Sequence, residues 1–313
     1  MTDRLRRIIG ILILVTIAVL ALSREHDLAV EGLVARWAPP PSDFIDLDGQ
    51  LVHLRDIGPR SDPVPIVLLH GTSASLHTWE GWMAELGKTR RVIAFDLPGF
   101  GLTGPRDDAN YRGDADARFT LALLDRLQVP RAVLAGNSLG GMVAWRVATL
   151  VPERVDRLVL VDAAGLPDAL ASVPMGWRLA RLPFIGALAE WTLPRAMVTE
   201  GLVTVYGDPE KITTEQVDRY FELTLRAGNR AALRQRLQQF EQGADAERIA
   251  AIRQPTLILW GGRDRIFPVA AAHEFQRRIP GSELVVFDTL GHVPHEEDPA
   301  ATLVPVKAFL ARP

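Results

Sequence analysis

The sequence predicts an α/β fold in which helices cover both faces of a mostly parallel sheet. Short continuous apolar runs, typical of strands buried on both faces, alternate along the chain with helical patterns. Such alternation is the mark of parallel strands joined by crossover helices. With 313 residues, 48% of them hydrophobic, the chain is able to bury a large core. The runs are Pro65–His70, Arg91–Phe95, Ala132–Ala135, Leu158–Val161, Thr256–Trp260 and Glu283–Phe287, and the helical patterns are Trp79–Leu86, Ala115–Leu127, Ser138–Leu150, Ala270–Ile279 and Ala301–Leu310.

A hairpin precedes this alternation. The segments Phe44–Leu47 and Leu51–Leu54 are separated by Asp48 and Gly49. An Asp-Gly pair between two strand-like segments predicts a type I′ turn, because both of its central residues need a positive φ. The hairpin is expected to add an antiparallel edge to the sheet.

One long interval interrupts the rhythm of strands and helices. Between Val161 and Thr256 lie 94 residues without a convincing buried strand, whereas Glu215–Arg226 and Arg230–Gln242 have helical patterns. A single crossover connection does not need this length. We predict that residues 165–250 form a helical cap inserted over the sheet, within one domain that spans residues 44–313.

The N-terminus has the pattern of a targeting segment. Three arginines within the first seven residues precede a 15-residue apolar run, Ile8–Leu22. We therefore predict that residues 1–23 form a signal anchor held in the membrane through residues 8–22, or a signal peptide that is cleaved. In both cases the rest of the chain lies on the exported side, anchored in the first and secreted or periplasmic in the second. A buried helix of a soluble protein is the remaining alternative.

Residues 24–43 are polar and rich in proline, and they include three consecutive prolines, Pro39–Pro41. Consecutive prolines favour an extended polyproline helix. The segment is predicted to be a connector that holds the following domain away from the membrane. The alternative is an N-terminal arm packed on the domain.

Composition excludes several classes of function. The net charge of −3 is too small to indicate a nucleic-acid partner, and no basic run follows the first few residues. The chain has no cysteine, which excludes disulfides, thiolate nucleophiles and thiolate metal sites. Oligomeric state is not indicated by any of these features.

A glycine-flanked serine follows the predicted strand Ala132–Ala135 and opens the next helix. Residues Gly136–Gly140 read Gly-Asn-Ser-Leu-Gly. A sharp turn from strand to helix strains its central residue, and glycines two positions away on each side make room for the turn. The Ser138 hydroxyl would then project above the sheet at a helix N-terminus, where a developing anion is favoured. Ser138 is the predicted nucleophile.

A serine nucleophile needs a base, and three histidines follow Ser138 in the chain. His273 lies in a predicted helix and is expected at the surface. His292 lies in the loop after Glu283–Phe287, at the edge of the sheet where ligand-facing loops gather. We predict His292 as the base. His295 is the alternative, and otherwise packs the loop.

The base needs an orienting carboxylate, which should follow a strand. Asp264 follows Thr256–Trp260, and the two glycines between them form a turn that frees its side chain. Asp162 directly follows Leu158–Val161 and is the competitor. Asp264 is the predicted acid, although it could also cap a helix near Pro268.

Two backbone N–H groups are needed for the oxyanion. One is that of Leu139, directly after the nucleophile. The other is expected in the loop after the first parallel strand, from Thr72, with Ser73 as the second choice. His70 in this loop is interpreted as a residue that stabilises the loop. Asp96 precedes the serine in another short loop and is interpreted as structural.

These motifs resemble the α/β-hydrolase superfamily over almost all of the chain from Asp43 to Leu310. The matching segments are His70–Thr72, Asp96–Gly101, Gly136–Gly141, Gly262–Asp264 and Gly291-His292 with Glu296–Pro299. They look most like the branch that holds carboxylesterases, monoacylglycerol-lipase-like enzymes, meta-cleavage C–C hydrolases and cofactor-free haloperoxidases. Haloalkane dehalogenases and epoxide hydrolases are similar in fold but place aspartate at the nucleophile position, so Ser138 argues against both.

Residues and resemblance together imply a serine hydrolase that cleaves a small-molecule carboxylic ester through an acyl-enzyme on Ser138. The mechanism needs neither a metal nor an organic cofactor. Aromatic side chains in the cap favour a lipophilic acyl group, although they could simply pack the cap on the body; they are Trp177, Phe184, Trp191, Tyr206, Tyr220, Phe221 and Phe240. The alternatives are a C–C hydrolase, a lactonase or a cofactor-free haloperoxidase with the same triad, and a non-catalytic membrane-attached binding protein of the same fold.

Overall fold

The computed structural model describes Arg7, Gly10, Ile11 and residues 24–167, 171–182, 186 and 190–312. Within these residues a single eight-stranded sheet forms the centre of the molecule. Each strand coincides with a predicted apolar run or hairpin arm to within a few residues. The strands are β1 (Ser42–Leu47), β2 (Gln50–Ile57), β3 (Ile66–Leu69), β4 (Val92–Phe95), β5 (Ala132–Asn137), β6 (Val155–Val161), β7 (Thr256–Gly261) and β8 (Glu283–Phe287).

The strand order is β1-β2-β4-β3-β5-β6-β7-β8. Strand β2 pairs antiparallel with both β1 and β4, and all later neighbours are parallel. The turn residues Asp48 and Gly49 have φ angles of 53° and 90°, which confirms the predicted hairpin. Strands β1, β2 and β4 lie on one side of β3 and strands β5 to β8 lie on the other, so β5 lies in the middle of the sheet. The carboxyl end of β5 faces the crevice where ligands bind in such sheets.

Helices cover both faces of the sheet, as predicted. They are α1 (Val30–Trp37), α2 (Glu80–Leu86), α3 (Ala115–Arg126), α4 (Leu139–Leu150), α5 (Met175–Ala180), α6 (Arg195–Val205), α7 (Thr214–Thr224), α8 (Asn229–Gln239), α9 (Val269–Arg278), α10 (Pro294–Glu297) and α11 (Pro299–Leu310). Alternate residues of one strand enter different cores, because successive side chains point to opposite faces. Val67 and Leu69 pack with α3, α4 and α9, whereas Ile66 and Leu68 pack with α2 and α11.

The interval between β6 and β7 is helical in the residues that the structure describes. Helices α5 to α8 lie there, and α8 contacts both α5 and α7. The chain enters these helices after the carboxyl end of β6 and leaves them before β7 begins. The helices therefore lie over the edge of the sheet where β5 also ends, and they line a cavity with Ser138. The inserted segment therefore covers the crevice predicted to hold the site.

The N-terminal segment packs on the inserted helices and is not an extended spacer. Glu25 N donates to Trp191 O (3.1 Å), and Leu28 N donates to Leu225 O (2.7 Å). Helix α1 follows, and Trp37 Nε1 donates to Glu222 of α7 (2.8 Å). The prolines begin only after this helix, so the polyproline prediction for residues 24–43 was wrong and the packed arm is observed.

The predicted signal anchor or signal peptide lies almost wholly outside the described residues. Of the apolar run Ile8–Leu22, only Gly10 and Ile11 are described. Among all residues that the structure describes, no helix has the length and the apolar character needed to cross a membrane. The N-terminal targeting function stays a prediction.

Asp96 confirms its interpretation as a structural residue. Its carboxylate is fully buried and accepts hydrogen bonds from Leu76 N (2.8 Å), Leu102 N (2.8 Å) and His53 Nδ1 (2.7 Å). Burial opposes its ionisation, but the adjoining His53 outweighs this effect and holds the pKa of Asp96 well below its usual range. Three donors from separate segments of the chain thus stabilise the buried negative charge of Asp96.

Replacing Asp96 with asparagine is expected to lower the free energy of unfolding by roughly 3–5 kcal/mol, since it breaks a buried charged network. The NH₂ group of the new asparagine would also face the N–H groups that now donate to the Asp96 carboxylate. Because the folded-state pKa lies below the unfolded value of about 3.9, this stabilisation is complete above that pH and declines as the pH falls. Urea titrations at neutral and acidic pH measure both effects.

Asp108→Asn is the matched control for this experiment. The Asp108 side chain is 55% exposed and pairs with Arg106 at 2.9 Å, so its loss should cost about 1 kcal/mol or less. Equal stability losses in the two variants would contradict the structural role of Asp96.

Candidate active site

Ser138 lies at a strained turn between β5 and α4, as predicted. Its φ of 52° and ψ of −114° are values that residues other than glycine rarely adopt. The turn is held on both sides, because Ser138 N donates to Val161 O (3.0 Å) and Ala164 N donates to Ser138 O (3.0 Å). Strain that neighbouring strands maintain in this way is typical of functional sites.

The two glycines beside Ser138 permit the close approach of backbone. A Cβ atom on Gly136 would overlap the carbonyl of Gly140, and one on Gly140 would overlap the carbonyl of Leu69 at the end of β3. Only residues without a side chain fit these positions. The glycines of the sequence motif therefore have a steric cause, and they bring the turn against the loop that follows β3.

His292 and Asp264 form a buried pair on neighbouring loops. His292 Nδ1 lies 2.7 Å from Asp264 Oδ2, after β8 and β7 respectively. The other carboxylate oxygen, Oδ1, accepts from Ile266 N (2.7 Å) and Phe267 N (3.1 Å), which fixes the orientation of the acid. With Nδ1–H donated to the carboxylate, Nε2 of His292 is left as the proton acceptor.

Ser138 and His292 line the same cavity, and their loops are joined. Asn137 Nδ2, beside the nucleophile, donates to the carbonyl of His292 at 2.8 Å. The hydrogen bonds of the described residues include none between Ser138 Oγ and His292 Nε2. Contacts between a nucleophile and its base commonly tighten only when substrate binds.

Asp162, the competing acid, lies beside the pair but does not hold the histidine. Its Oδ1 accepts from Gly261 N (2.9 Å), and its backbone φ is 43°. Burial raises the pKa of Asp162 well above its usual range, and the charge of Asp264 raises it further. Asp162 therefore lies beside the His292–Asp264 pair without a hydrogen bond to the imidazole.

Asp162, Asp264 and His292 are also close enough to hold a cation. Their potential ligand atoms all lie within 4.8 Å of one another. The chemistry of this set does not suit the task, because Asp264 Oδ2 and His292 Nδ1 are already hydrogen bonded to each other. A metal ligand has to be a deprotonated carboxylate or a free imidazole nitrogen.

The predicted oxyanion donors flank the nucleophile. Leu139 is the first residue of α4, so its N–H has no acceptor within the helix. Thr72 and Ser73 line the cavity with Ser138. Their loop lies against the strained turn, since a Cβ atom on Gly71 would come within 3.3 Å of the Ser138 Cβ.

The other histidines have no part in this pair. His70 Nδ1 donates to Gly71 O (2.7 Å) and Nε2 accepts from Leu97 N (2.9 Å), so it stabilises the loop as interpreted. His273 is exposed on α9. His295 is fully buried with its ring centroid 3.9 Å from that of Trp79, and burial lowers its pKa well below the usual range. Both ring nitrogens of His295 lack a hydrogen-bond partner in the described residues, and the residue does not line the cavity, so it does not serve as the base.

The cavity of about 240 Å³ lies between Ser138 and the inserted helices. Its helical wall is mostly apolar and includes Trp177, Leu193, Met197 and Leu202. Of the seven aromatic residues noted in the sequence, Trp177 and Tyr220 line it, Trp191 is 56% exposed, and Phe184 lies outside the described residues.

Sequence reasoning missed Glu297, which joins the base to the inserted helices. Its carboxylate accepts from Gly291 N (2.8 Å), Gly207 N (2.9 Å) and Asp208 N (2.9 Å). One side chain thus fixes the residue before His292 and the segment after α6. The only signal was its place in the Glu296–Pro299 segment, which gave no role.

Residues 64–299 match the family described as having the alpha/beta hydrolase fold. The chain belongs to the α/β-hydrolase family. Relatives of this α/β hydrolase act in several reactions. The 2-hydroxymuconate semialdehyde hydrolase of Pseudomonas sp. strain CF600 is 31% identical over 259 residues, which are 79% of this chain and 87% of that protein.

A second relative has a different function. The dihydrolipoyllysine-residue acetyltransferase component of the acetoin cleaving system of Pseudomonas putida is 31% identical over 294 residues, 92% of this chain and 74% of that protein. Among solved structures, the meta-cleavage product hydrolase of Pseudomonas fluorescens IP01 superposes with a TM-score of 0.74 at 26% identity, over 86% of this chain and 97% of that one. The relatives of this α/β-hydrolase family member therefore do not share one reaction.

Proposed function

We propose that this α/β hydrolase cleaves carboxylic esters with an apolar acyl group through an acyl-enzyme on Ser138. One observation carries the proposal. Ser138 and His292, which is paired with Asp264, line the same cavity, and the wall that the inserted segment contributes to this cavity is mostly apolar. Such a cavity with a few convergent polar groups at one end is the usual form of a site for a lipophilic small molecule.

The proposed mechanism gives each polar group a role. Ser138 Oγ attacks the ester carbonyl carbon while His292 Nε2 takes the hydroxyl proton. The N–H groups of Leu139 and Thr72 donate to the oxyanion, and Asp264 stabilises the imidazolium that forms. The tetrahedral intermediate then collapses, and the alcohol leaves with the proton from His292.

Water completes the reaction at the same groups. His292 Nε2 takes a proton from water as its oxygen attacks the acyl carbon, and the bond to Ser138 Oγ breaks. The proton returns to Ser138, and the carboxylic acid leaves. All groups needed for both half-reactions come from the chain itself.

Neutral 4-nitrophenyl esters of increasing acyl length test the preference for apolar chains. From acetyl to hexanoyl, kcat/KM is expected to rise about tenfold or more, because each methylene buried against the apolar wall contributes roughly 0.8 kcal/mol at most. Release of 4-nitrophenolate measures the rate. A kcat/KM that is highest for the acetyl ester and falls with chain length would contradict the proposal.

A C–C hydrolase is the second candidate, and the relatives named as 2-hydroxymuconate semialdehyde and meta-cleavage product hydrolases favour it. The same serine and histidine would act on a ketone carbonyl of a ring-cleavage product. Loss of the absorbance of such a product, compared with ester turnover by the same preparation, separates the two. A kcat/KM at least about a hundredfold higher for the ring-cleavage product would favour the second candidate.

A further inference from the structure

The inserted helices hold the segment that carries His292 from its N-terminal side. The backbone N–H of His292 donates to Val205 O at the end of α6 (2.7 Å). Glu297 adds a second contact there, because its carboxylate accepts from Gly291 N and from Gly207 N. A general base has to lie within about 3.2 Å of the atom whose proton it takes. The position of this segment therefore affects the rate directly.

A separate link joins the C-terminal side of the same segment to α7. Glu296 follows His292 after one turn of chain and lies in the short helix α10. Its Oε2 accepts from the hydroxyl of Tyr220 (2.8 Å), and its Oε1 accepts from Arg219 Nη2. The side chains of Glu296 and Arg219 are only 6% and 9% exposed, so water screens these charges little. The link is a buried, charge-assisted hydrogen-bond network.

Apolar packing reinforces this link. Val293, directly after His292, is buried in a cluster with Leu202 of α6 and Val217 of α7, and Tyr220 packs against this cluster. The residue after the base is thus enclosed by two inserted helices. Polar and apolar contacts together make the position of the base depend on α7.

Tyr220 is the member of this network that reaches the substrate cavity. Its ring lines the cavity with Ser138 and His292, whereas Glu296 and Arg219 do not line it. A tyrosine hydroxyl has a single proton to donate, and here Glu296 accepts it. The hydroxyl of Tyr220 therefore acts on the protein, while the ring forms part of the wall.

We propose that Tyr220 is a positioning residue for the base, and that its hydrogen bond to Glu296 holds His292 where it can take the proton of Ser138. Without this bond Glu296 is held to α7 by Arg219 alone, and the segment that carries the base is less firmly fixed. A displacement of about 1 Å can slow a reaction about 100-fold, so a partial loss of support should be measurable. This inference rests on the proposed hydrolysis at Ser138.

Tyr220→Phe removes the hydroxyl and keeps the ring in the cavity wall. It is expected to lower kcat about tenfold on both 4-nitrophenyl acetate and 4-nitrophenyl hexanoate, and to change KM by less than about twofold. KM should hold because His292 acts in acylation and in deacylation, so both steps slow together. A raised KM with unchanged kcat, or a loss confined to the hexanoate ester, would make the hydroxyl a substrate contact and overturn the proposal.

Tyr206→Phe is the matched control, since it removes a hydroxyl from the same inserted segment. The Tyr206 hydroxyl accepts from Gln216 Nε2 (2.7 Å), and Tyr206 does not line the cavity. Its kcat should stay within about twofold of that of the unmodified protein. Equal losses of kcat in the two variants, with equal falls in unfolding temperature, would mean that Tyr220 only stabilises the inserted helices, and the proposal would be wrong.

A double-mutant comparison tests whether the hydroxyl acts through Glu296. Alanine at this position has no acceptor for the Tyr220 hydroxyl. Tyr220→Phe, which is expected to cost about tenfold in the unmodified protein, should therefore lower kcat by less than about twofold when it is added to Glu296→Ala. A further tenfold loss in the double variant would show that the hydroxyl acts on the base by another route, and it would contradict the proposed link.

Diisopropyl fluorophosphate separates this inference from the proposed reaction, because its attack by Ser138 uses His292 but needs no ester turnover. Tyr220→Phe is expected to slow labelling about tenfold, and Tyr206→Phe by less than about twofold. Equal labelling rates in Tyr220→Phe and the unmodified protein would overturn the positioning role even if esters are hydrolysed. Slower labelling of Tyr220→Phe, without any ester turnover by the unmodified chain, would retain the positioning role and contradict the proposed reaction.

Discussion

Replacing Ser138 with alanine is expected to lower kcat for a preferred 4-nitrophenyl ester by about 10⁵-fold or more, because the proposed acyl-enzyme cannot form without the Ser138 hydroxyl. The hydroxyl is held at a strained turn whose glycine neighbours have no room for a side chain. Alanine fits the same backbone, so the fold should be unchanged. Initial rates and thermal unfolding together measure the effect.

Ser172→Ala is the matched control for the loss of a hydroxyl, since Ser172 is exposed in the inserted segment and outside the cavity. Its activity and unfolding temperature should equal those of the unmodified protein. Turnover by Ser138→Ala within about tenfold of the unmodified rate would assign the nucleophile to another residue.

The two neighbouring aspartates should differ sharply in their effects. Asp264→Asn is expected to lower kcat about 10⁴-fold, because the amide would face Nδ1–H of His292 and disfavour the tautomer that leaves Nε2 free. Asp162→Asn is expected to lower it by less than about tenfold. Asparagine retains the oxygen that accepts from Gly261 N, and the contact between His292 and Asp264 does not involve this side chain.

The pH dependence of kcat/KM extends this comparison. The acidic limb, where protonation of the base abolishes activity, should be the same in Asp162→Asn as in the unmodified protein, since His292 and Asp264 keep their contact at 2.7 Å. A loss of activity in Asp162→Asn as large as that in Asp264→Asn would give Asp162 the role of the orienting acid.

Most of the sheet was predictable because its strands are buried on both faces. The parallel strands β3 to β7 are apolar at nearly every position, and this pattern differs from that of an amphipathic helix. The hairpin followed from Asp48 and Gly49 alone. Helix boundaries were displaced by only a few residues.

The N-terminal arm was not predictable, because long-range contacts determine its structure. Helix α1 is short, and α7 and its neighbours hold it in place through Arg36 and Trp37, which bond to residues more than 180 positions away. Three prolines in the following segment gave a local signal for an extended chain. Tertiary packing overrode that local preference.

The candidate site was predictable only in part for the same reason. Ser138, Asp264 and His292 each follow a strand, so parallel topology brings them to one edge of the sheet. Glu297 acts through the backbone of residues that lie about 90 positions away in sequence.

Labelling with a fluorophosphonate tests the nucleophilic serine most directly. Such a reagent forms a stable bond with an activated serine hydroxyl and needs no knowledge of the natural substrate. Peptide mass spectrometry is expected to locate one adduct on Ser138, and His292→Ala should slow labelling by about 10³-fold or more. An adduct on a different serine, or labelling of Ser138 at the same rate in His292→Ala, would contradict the mechanism.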